Sequence, residues 1–342
     1  MPSRCLSRKF CMEKNLFKLD AAGVKAEAAR LGFHACGLSV AGPVDASHSA
    51  FFRRWLTHGR YAGMEYMAGH VDLRLNPCLL VEGTQTIVSV AMNYQPLREL
   101  PEKQPQLAWY AYGKDYHDLM RQRLRLLLES LQSRYGESLQ GRAFCDTAPV
   151  LERYWAWRGG LGWIGRHSQL VIPRCGSAFF LGELFLNMQA DCYDRPMDCK
   201  CGTCMRCVEA CPMHAIGEAD GLDAARCLSY LTIESREPLI PEEAAARMAP
   251  YFYGCDRCLR ACPALRMGSP TNEEWFRPSD ELLDMTEEKW NRLTVEDYRR
   301  LFKGSAVKRA KYDGLMRNIN AIKTGSESAS KPLLSDTSDS LS

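Results

Sequence analysis

The 342-residue chain contains no run of about 20 apolar residues, the length a membrane-crossing helix requires, so no membrane partner is expected. No N-terminal stretch has the apolar core and small-residue cleavage site of a secretory signal, which argues against extracellular disulfides and for a reducing, cytoplasmic compartment. Net charge is also nearly missing. Lys and Arg number 44 against 41 Asp and Glu, a balance of +3, so global charge announces no nucleic-acid partner and any basic surface must be local. At 46% hydrophobic and 25% charged residues, the composition is that of a soluble globular protein long enough for two domains.

Cysteine, by contrast, is abundant. Sixteen in a chain of this size, in a reducing compartment, point to metal rather than to disulfides. The sequence divides by character into five parts. Residues 1–14, with Arg4, Arg8, Lys9 and Lys14 against Glu13, read as a flexible terminus in which Met12 is an alternative start. Residues 15–190 alternate helix and strand patterns. Residues 15–31 and 116–134 read as amphipathic helices, 35–40 as a short apolar stretch, 51–58 as a helix, and 84–93, 143–145, 169–172 and 178–186 as strands. Residues 191–271 are rich in cysteine and poor in apolar periodicity, as expected where metal substitutes for a hydrophobic core. Residues 272–323 read as short charged helices forming a basic extension, and 324–342 as a serine-rich disordered tail. The fold class is α+β: an N-terminal α/β module, a ferredoxin-like domain and a short helical C-terminal extension.

The cysteine spacing is the most specific signal. Cys201-x2-Cys204-x2-Cys207-x3-Cys211-Pro212 reproduces the bacterial ferredoxin run, whose fourth cysteine turns towards a second cluster. Its partner, Cys255-x2-Cys258-x3-Cys262-Pro263, lacks one cysteine, which Cys227 can supply. The crossed pattern puts Cys201, Cys204, Cys207 and Cys262 on one [4Fe–4S] cluster and Cys211, Cys227, Cys255 and Cys258 on the other. Paired zinc sites are the rival, since CxxC pairs also bind zinc. Cys192 and Cys199 are read as bystanders. Two clusters imply one-electron relay from an external low-potential donor, without saying to what.

Three dense motifs precede the clusters: WYAYGKDYH at 109–117, CDTAPVLER at 145–153 and GGLGWIGRHS at 159–168. Asp146 follows an apolar strand and stands before a helix, where a carboxylate either caps the helix or does chemistry. The glycines allow the backbone to approach a large ligand closely, or serve packing alone.

These motifs, with YAGMEYM at 61–67, FFLGELFLN at 179–187, RCLSYLTIE at 226–234, YGCDRC at 253–258 and KGSAVKRAKYDGLMRN at 303–318, resemble the epoxyqueuosine reductase family over roughly residues 13–323. That family finishes queuosine in the tRNA anticodon with cobalamin. The resemblance implies a cobalamin held in the N-terminal module, residues 15–190, and reduced through the cluster domain. It places the family's catalytic aspartate on Asp146. The segments expected around the corrin bring Tyr112, Asp115, Tyr116, His117, Arg153, Trp163, His167 and Ser168. Cobalamin proteins that ligate cobalt through histidine use D-x-H-x-x-G; here Met120 occupies the glycine position, so His117 is read as a polar contact. Longer members carry C-terminal helical repeats that help grip tRNA, whereas this chain, a short form, enters its serine-rich segment soon after Ile322. Between residues 303 and 323, Lys303, Lys308, Arg309, Lys311, Arg317 and Lys323 face only Asp313, and Lys308, Arg309 and Lys311 are the expected phosphate contacts to a tRNA with a queuosine-type anticodon.

Epoxide removal needs a positioned acid, and Asp146 would fill the role if burial raised its pKa. The rivals are a reductive dehalogenase-like enzyme, which shares the cofactors but would bring a tyrosine donor, and a ferredoxin-type electron-transfer subunit, which leaves the motifs at 109–168 without a use.

Overall fold

The computed structural model describes residues 18–217 and 221–329. The expected flexible terminus, the choice between Met1 and Met12, and the tail from residue 330 lie outside the described residues.

The N-terminal half is built on one antiparallel sheet. Helix α1 (Ala21–Arg30) starts at Asp20, whose carboxylate accepts from the Gly23 N–H at 3.0 Å, and buries Val24 and Ala28. It leads into β1 (Ala35–Val40), α2 (Ala46–Thr57) and β2 (Thr86–Asn93). Helix α3 (Tyr116–Tyr135) buries Met120, Leu124, Leu127 and Leu131, a 3–4 spacing that makes one apolar face, and stops at Gly136, whose φ of +81° suits glycine. Then come β3 (Gly141–Phe144), α4 (Glu152–Arg158) and β4 (Phe179–Leu186). The sheet order is β1-β2-β4-β3, antiparallel at every pairing. Sequence pattern alone left this order open, because apolar runs mark strands without naming their neighbours.

Strand β4 is the spine. Alternate residues point to opposite faces. Phe180, Leu184 and Leu186 pack in the core with α3, whereas Phe185 packs with Ile87, Phe144 and Trp155 on the α4 side. Gly182 is required by the approach of α3: a Cβ there would stand 2.9 Å from a Leu124 methyl and 3.0 Å from the Met120 methyl.

A second core contradicts the picture of an appended basic extension. Trp290, Phe302, Leu315 and Ile319 pack with Leu107, Trp109, Tyr112, Phe252 and Tyr253, so residues 272–323 share one core with the 107–112 stretch and the cluster region. The final helix, α5 (Lys311–Ala329), runs on into the segment expected to be tail. Arg317, counted from sequence among the basic residues, points inward, donating to the carbonyls of Leu231, Ser235 and Glu237 at 2.6–3.1 Å. The cysteine-rich segment also keeps an apolar cluster of its own, with Met213, Leu228, Leu231 and Met248 buried together. Among the described residues, no helix is long and apolar enough to cross a membrane.

Candidate active site

Stretches that are distant in sequence converge on a cavity of about 1740 Å³, larger than the ~300–1,000 Å³ usual for a small-molecule site. Its walls come from residues 48–74, 110–118, 146–154, 164–181, 208–217, 221–236, 253 and 304–311.

Asp146 is on its wall. The residue lies at the end of β3 with φ +55°, a left-handed conformation that Asp tolerates better than most residues but that still marks a constrained site. Its N–H donates to Glu152 Oε1 at 2.5 Å. Its carboxylate accepts from the Tyr116 hydroxyl at 2.5 Å and meets His117 Nε2 at 3.3 Å. His117 is held from the other side by Asp115, Nδ1 to Oδ1 at 2.7 Å, and Asp115 also caps α3 through the His117 N–H at 3.0 Å. The segment itself is fixed from behind by the C-terminal region: Lys114 N–H to the Trp275 carbonyl, Asp115 N–H to the Gly304 carbonyl, and the Trp275 indole N–H to the Asp115 carbonyl at 2.9 Å.

The electrostatics correct the expectation that Asp146 is a carboxyl with a raised pKa. Hydrogen bonding from His117 is the largest influence and lowers it; burial opposes this, and Tyr116 adds to the lowering. Asp146 is therefore a carboxylate, its side chain 56% exposed to the cavity. Burial pulls the imidazole of His117 down, but Asp115 and Asp146 together outweigh it and carry it up to about 9. The Tyr116 phenol is pushed up by burial and by Asp146. The stored proton thus sits on His117 and touches Asp146. Nor does Asp146 cap the next helix: the N-cap position of α4 is Leu151, with no side-chain cap.

A raised histidine pKa carries a signed consequence. The stabilisation from protonated His117 is fully present below its ordinary value of about 6.5 and is lost as pH rises through about 9. Thermal unfolding of the wild type and of His117→Gln should therefore differ most in mildly acidic solution and converge on the alkaline side; a difference constant with pH would contradict the charge assignment.

Of the residues expected around a corrin, Asp115, Tyr116, His117, Arg153 and Ser168 line the cavity with Asp146. Tyr112, Trp163 and His167 do not. Tyr112 is 3% exposed in the second core, its hydroxyl accepting from the Leu100 N–H at 3.4 Å. Trp163 is tied into a two-residue ribbon opposite Val171. His167 is 2% exposed, accepts from the Gln169 N–H through Nδ1 at 3.1 Å, and is pushed by burial down to about 4, which keeps it neutral.

The eight motif cysteines gather in two groups. The Cys207 thiol is pushed up by burial and then by Cys201 and Cys262; Cys262 by burial and then by Cys201 and Cys204. On the other side, burial and then Cys255, Cys227 and Cys211 push up Cys258. For these three thiols, each cysteine influence comes from within the same expected quartet. Among the described residues no three side chains meet at the point a single ion would fill; a cubane instead spreads four thiolates over four irons. Cys199 is exposed and hydrogen-bonded to Cys201, and Cys192 is exposed. The first quartet adjoins the cavity, since Val208 lines it and Arg166, on its wall, donates to the Gly202 carbonyl at 2.8 Å.

Lys308, Arg309 and Lys311 also line the cavity. Arg309 is already engaged by Glu234, Nε at 3.0 Å and Nη2 at 2.7 Å, whereas no ion pair joins Lys308 or Lys311 among the described residues. Sequence reasoning missed Tyr110, Tyr253, Glu152 and Glu234. Glu152 stands inside a quoted motif, but only its contact with the Asp146 amide gives it a role; the others carry no signal in sequence beyond membership of a motif.

Comparison with known proteins adds the family. A family model described as "Epoxyqueuosine reductase QueG, DUF1730" matches residues 74–147, and one described as "4Fe-4S double cluster binding domain" matches residues 200–264. An epoxyqueuosine reductase from Cellulophaga algicola is 40% identical over 300 residues, covering 88% of this chain and 97% of the relative. The epoxyqueuosine reductase structure from Streptococcus thermophilus superposes with a TM-score of 0.79 at 25% identity, covering 89% of this chain and 80% of that one. A structure of epoxyqueuosine reductase with a tRNA-Tyr epoxyqueuosine-modified stem loop matches in fold, with a TM-score of 0.79 at 24% identity over 89% of this chain and 80% of that one.

Proposed function

The chain belongs to the epoxyqueuosine reductase family, and we propose that it reduces the epoxide of epoxyqueuosine at the tRNA wobble position to the alkene of queuosine, with cobalamin in the cavity and two [4Fe–4S] clusters beside it. The observation that carries this reading is one wall shared by Asp146, His117 and the loop of the first cysteine quartet.

The cavity suits a corrin on two grounds. It has the volume for a macrocycle, and Ser177 Oγ on its wall is buried without a hydrogen-bond partner, a group that a carboxamide at a corrin edge would satisfy. Asp115, Tyr116, His117, Arg153 and Ser168 are the contacts from the protein; the eight cysteines hold the clusters in the crossed pairing. Bound there, cobalamin would supply low-valent cobalt as reductant, renewed one electron at a time from an external low-potential donor. The chain's own residues supply the proton. His117 Nε2 holds it, Asp146 Oδ2 meets that nitrogen at 3.3 Å on the same cavity wall, and the Tyr116 hydroxyl fixes the carboxylate. A relay of this kind replaces the simple acid role of Asp146 expected from sequence. The compartment is a reducing cytoplasm, where thiolate-bound clusters persist.

Anaerobically purified protein should bind cobalamin with a corrin absorbance in stoichiometric amount. A protein that keeps its iron but takes up no corrin would instead be an electron carrier. For the tRNA, Lys308 and Lys311 are the phosphate contacts, and Arg309 braces Glu234 at the same rim. Replacing both lysines with alanine should weaken stem-loop binding and lower the salt slope by roughly 1.5, because each phosphate contact contributes about 0.7–0.9. An unchanged slope would mean that the two lysines only face solvent.

A further inference from the structure

Strand β4 carries a buried acid group beside the strand that leads to Asp146. Glu183, at the middle of β4, is 0% exposed, and neither carboxyl oxygen has a hydrogen-bond partner. It pairs with Phe144 on one side, two residues before Asp146, and with Ser89 on the other. Ser89 is also 0% exposed, with an unpartnered Oγ. Cross-strand neighbours share a face, so the sheet carries a buried polar spot on the face of Phe144, two residues before Asp146. Glu152 lines the cavity and accepts from the Asp146 N–H.

We propose that Glu152, backed by the buried carboxyl of Glu183, delivers the second proton that epoxide removal needs. The inference rests on the reductase reading. Both C–O bonds of the epoxide break, the C=C π bond forms and the oxygen leaves as water, which takes two electrons and two protons. The electrons come in single steps from the low-potential donor. His117, through Asp146, provides one proton, and Glu152 provides the other.

The surroundings favour the acid form. Burial raises Glu152 most, the Asp146 carboxylate adds to this, and Arg153 and His117 oppose it, leaving it at about 7. Glu183 is raised further, by burial and by Glu152. Tyr116 and Cys145 also face the pair, and both are raised by burial first. Two neighbouring carboxyls, one of them fully buried, cannot both ionise readily.

Glu152→Gln separates this role from a structural one, since glutamine still accepts from the Asp146 N–H through Oε1. Infrared pH titration of the cluster- and cobalamin-loaded wild type should reveal a carboxylic C=O band that disappears with a midpoint of about 7, and the variant should lack it. Queuosine formation by the variant should fall by roughly 10²-fold or more, and its alkaline limb should move from about 7 to about 9. A wild type with no titrating carboxylic band that the variant lacks, or a variant with normal rate and an unmoved limb, overturns the proposal. A loaded wild type that forms no queuosine would fault the reductase reading instead, and the titration would still judge Glu152.

Discussion

Asp146→Asn is expected to lower queuosine formation by roughly 10²–10⁴-fold, the range for losing a proton-transfer group, with clusters, cobalamin and fold retained. The backbone argument favours retention. Asn tolerates a left-handed φ about as well as Asp, so the +55° conformation survives the exchange. The amide oxygen can still accept from the Tyr116 hydroxyl, and no helix loses a cap, since the N-cap position of α4 is Leu151. What is lost is charge. Without the carboxylate, one of the two anions that hold His117 near 9 is gone, and its pKa should fall towards the ordinary 6.5. Histidine NMR titration of the variant would record that fall directly. A rate close to wild type in a sample fully loaded with iron and cobalt would rule out the relay.

The second large effect concerns the clusters. Cys227→Ala should reduce bound iron from about eight to about four, with sulfide in proportion, and abolish turnover driven by the external donor. Cys262→Ala should also leave about four irons, but of the other cluster. The crossed quartets give these variants a signature: Cys262→Ala and Cys207→Ala should lose the same paramagnetic signal, although Cys262 lies only four residues from Cys258 in sequence. An uncrossed arrangement predicts that Cys262→Ala and Cys258→Ala lose the same one. Two equivalents of zinc and no iron in anaerobically purified protein would remove the cluster assignment altogether.

Sequence made some features legible because they are local. The leucine face of α3 and the apolar run of β4 follow from spacing. The cysteine spacing sufficed to nominate the ligands, because cluster ligation follows short local runs. What sequence could not supply was direction. Tyr110 and Tyr112 stand two residues apart in one aromatic motif, yet Tyr110 lines the cavity and Tyr112 is sunk in the second core, because a short 3-10 turn at Trp109–Ala111 splits them. His167 and Ser168 are adjacent, and only the serine, at φ +62°, reaches the cavity. The charge state of Asp146 depended on His117 and Tyr116, some 30 residues earlier, and so could not be settled from its own motif. Arg317 looked like one more surface cation until the carbonyls of residues 231–237 claimed it.

The central claim is that one cavity joins a proton relay to a cluster-fed reductant for epoxide removal on tRNA. Its most direct test is nucleoside mass spectrometry of an epoxyqueuosine-containing anticodon stem loop, incubated anaerobically with loaded protein and a low-potential one-electron donor. The account predicts that the epoxyqueuosine signal is replaced by queuosine, lighter by one oxygen. Protein carrying both clusters and cobalamin that leaves epoxyqueuosine unchanged would contradict it.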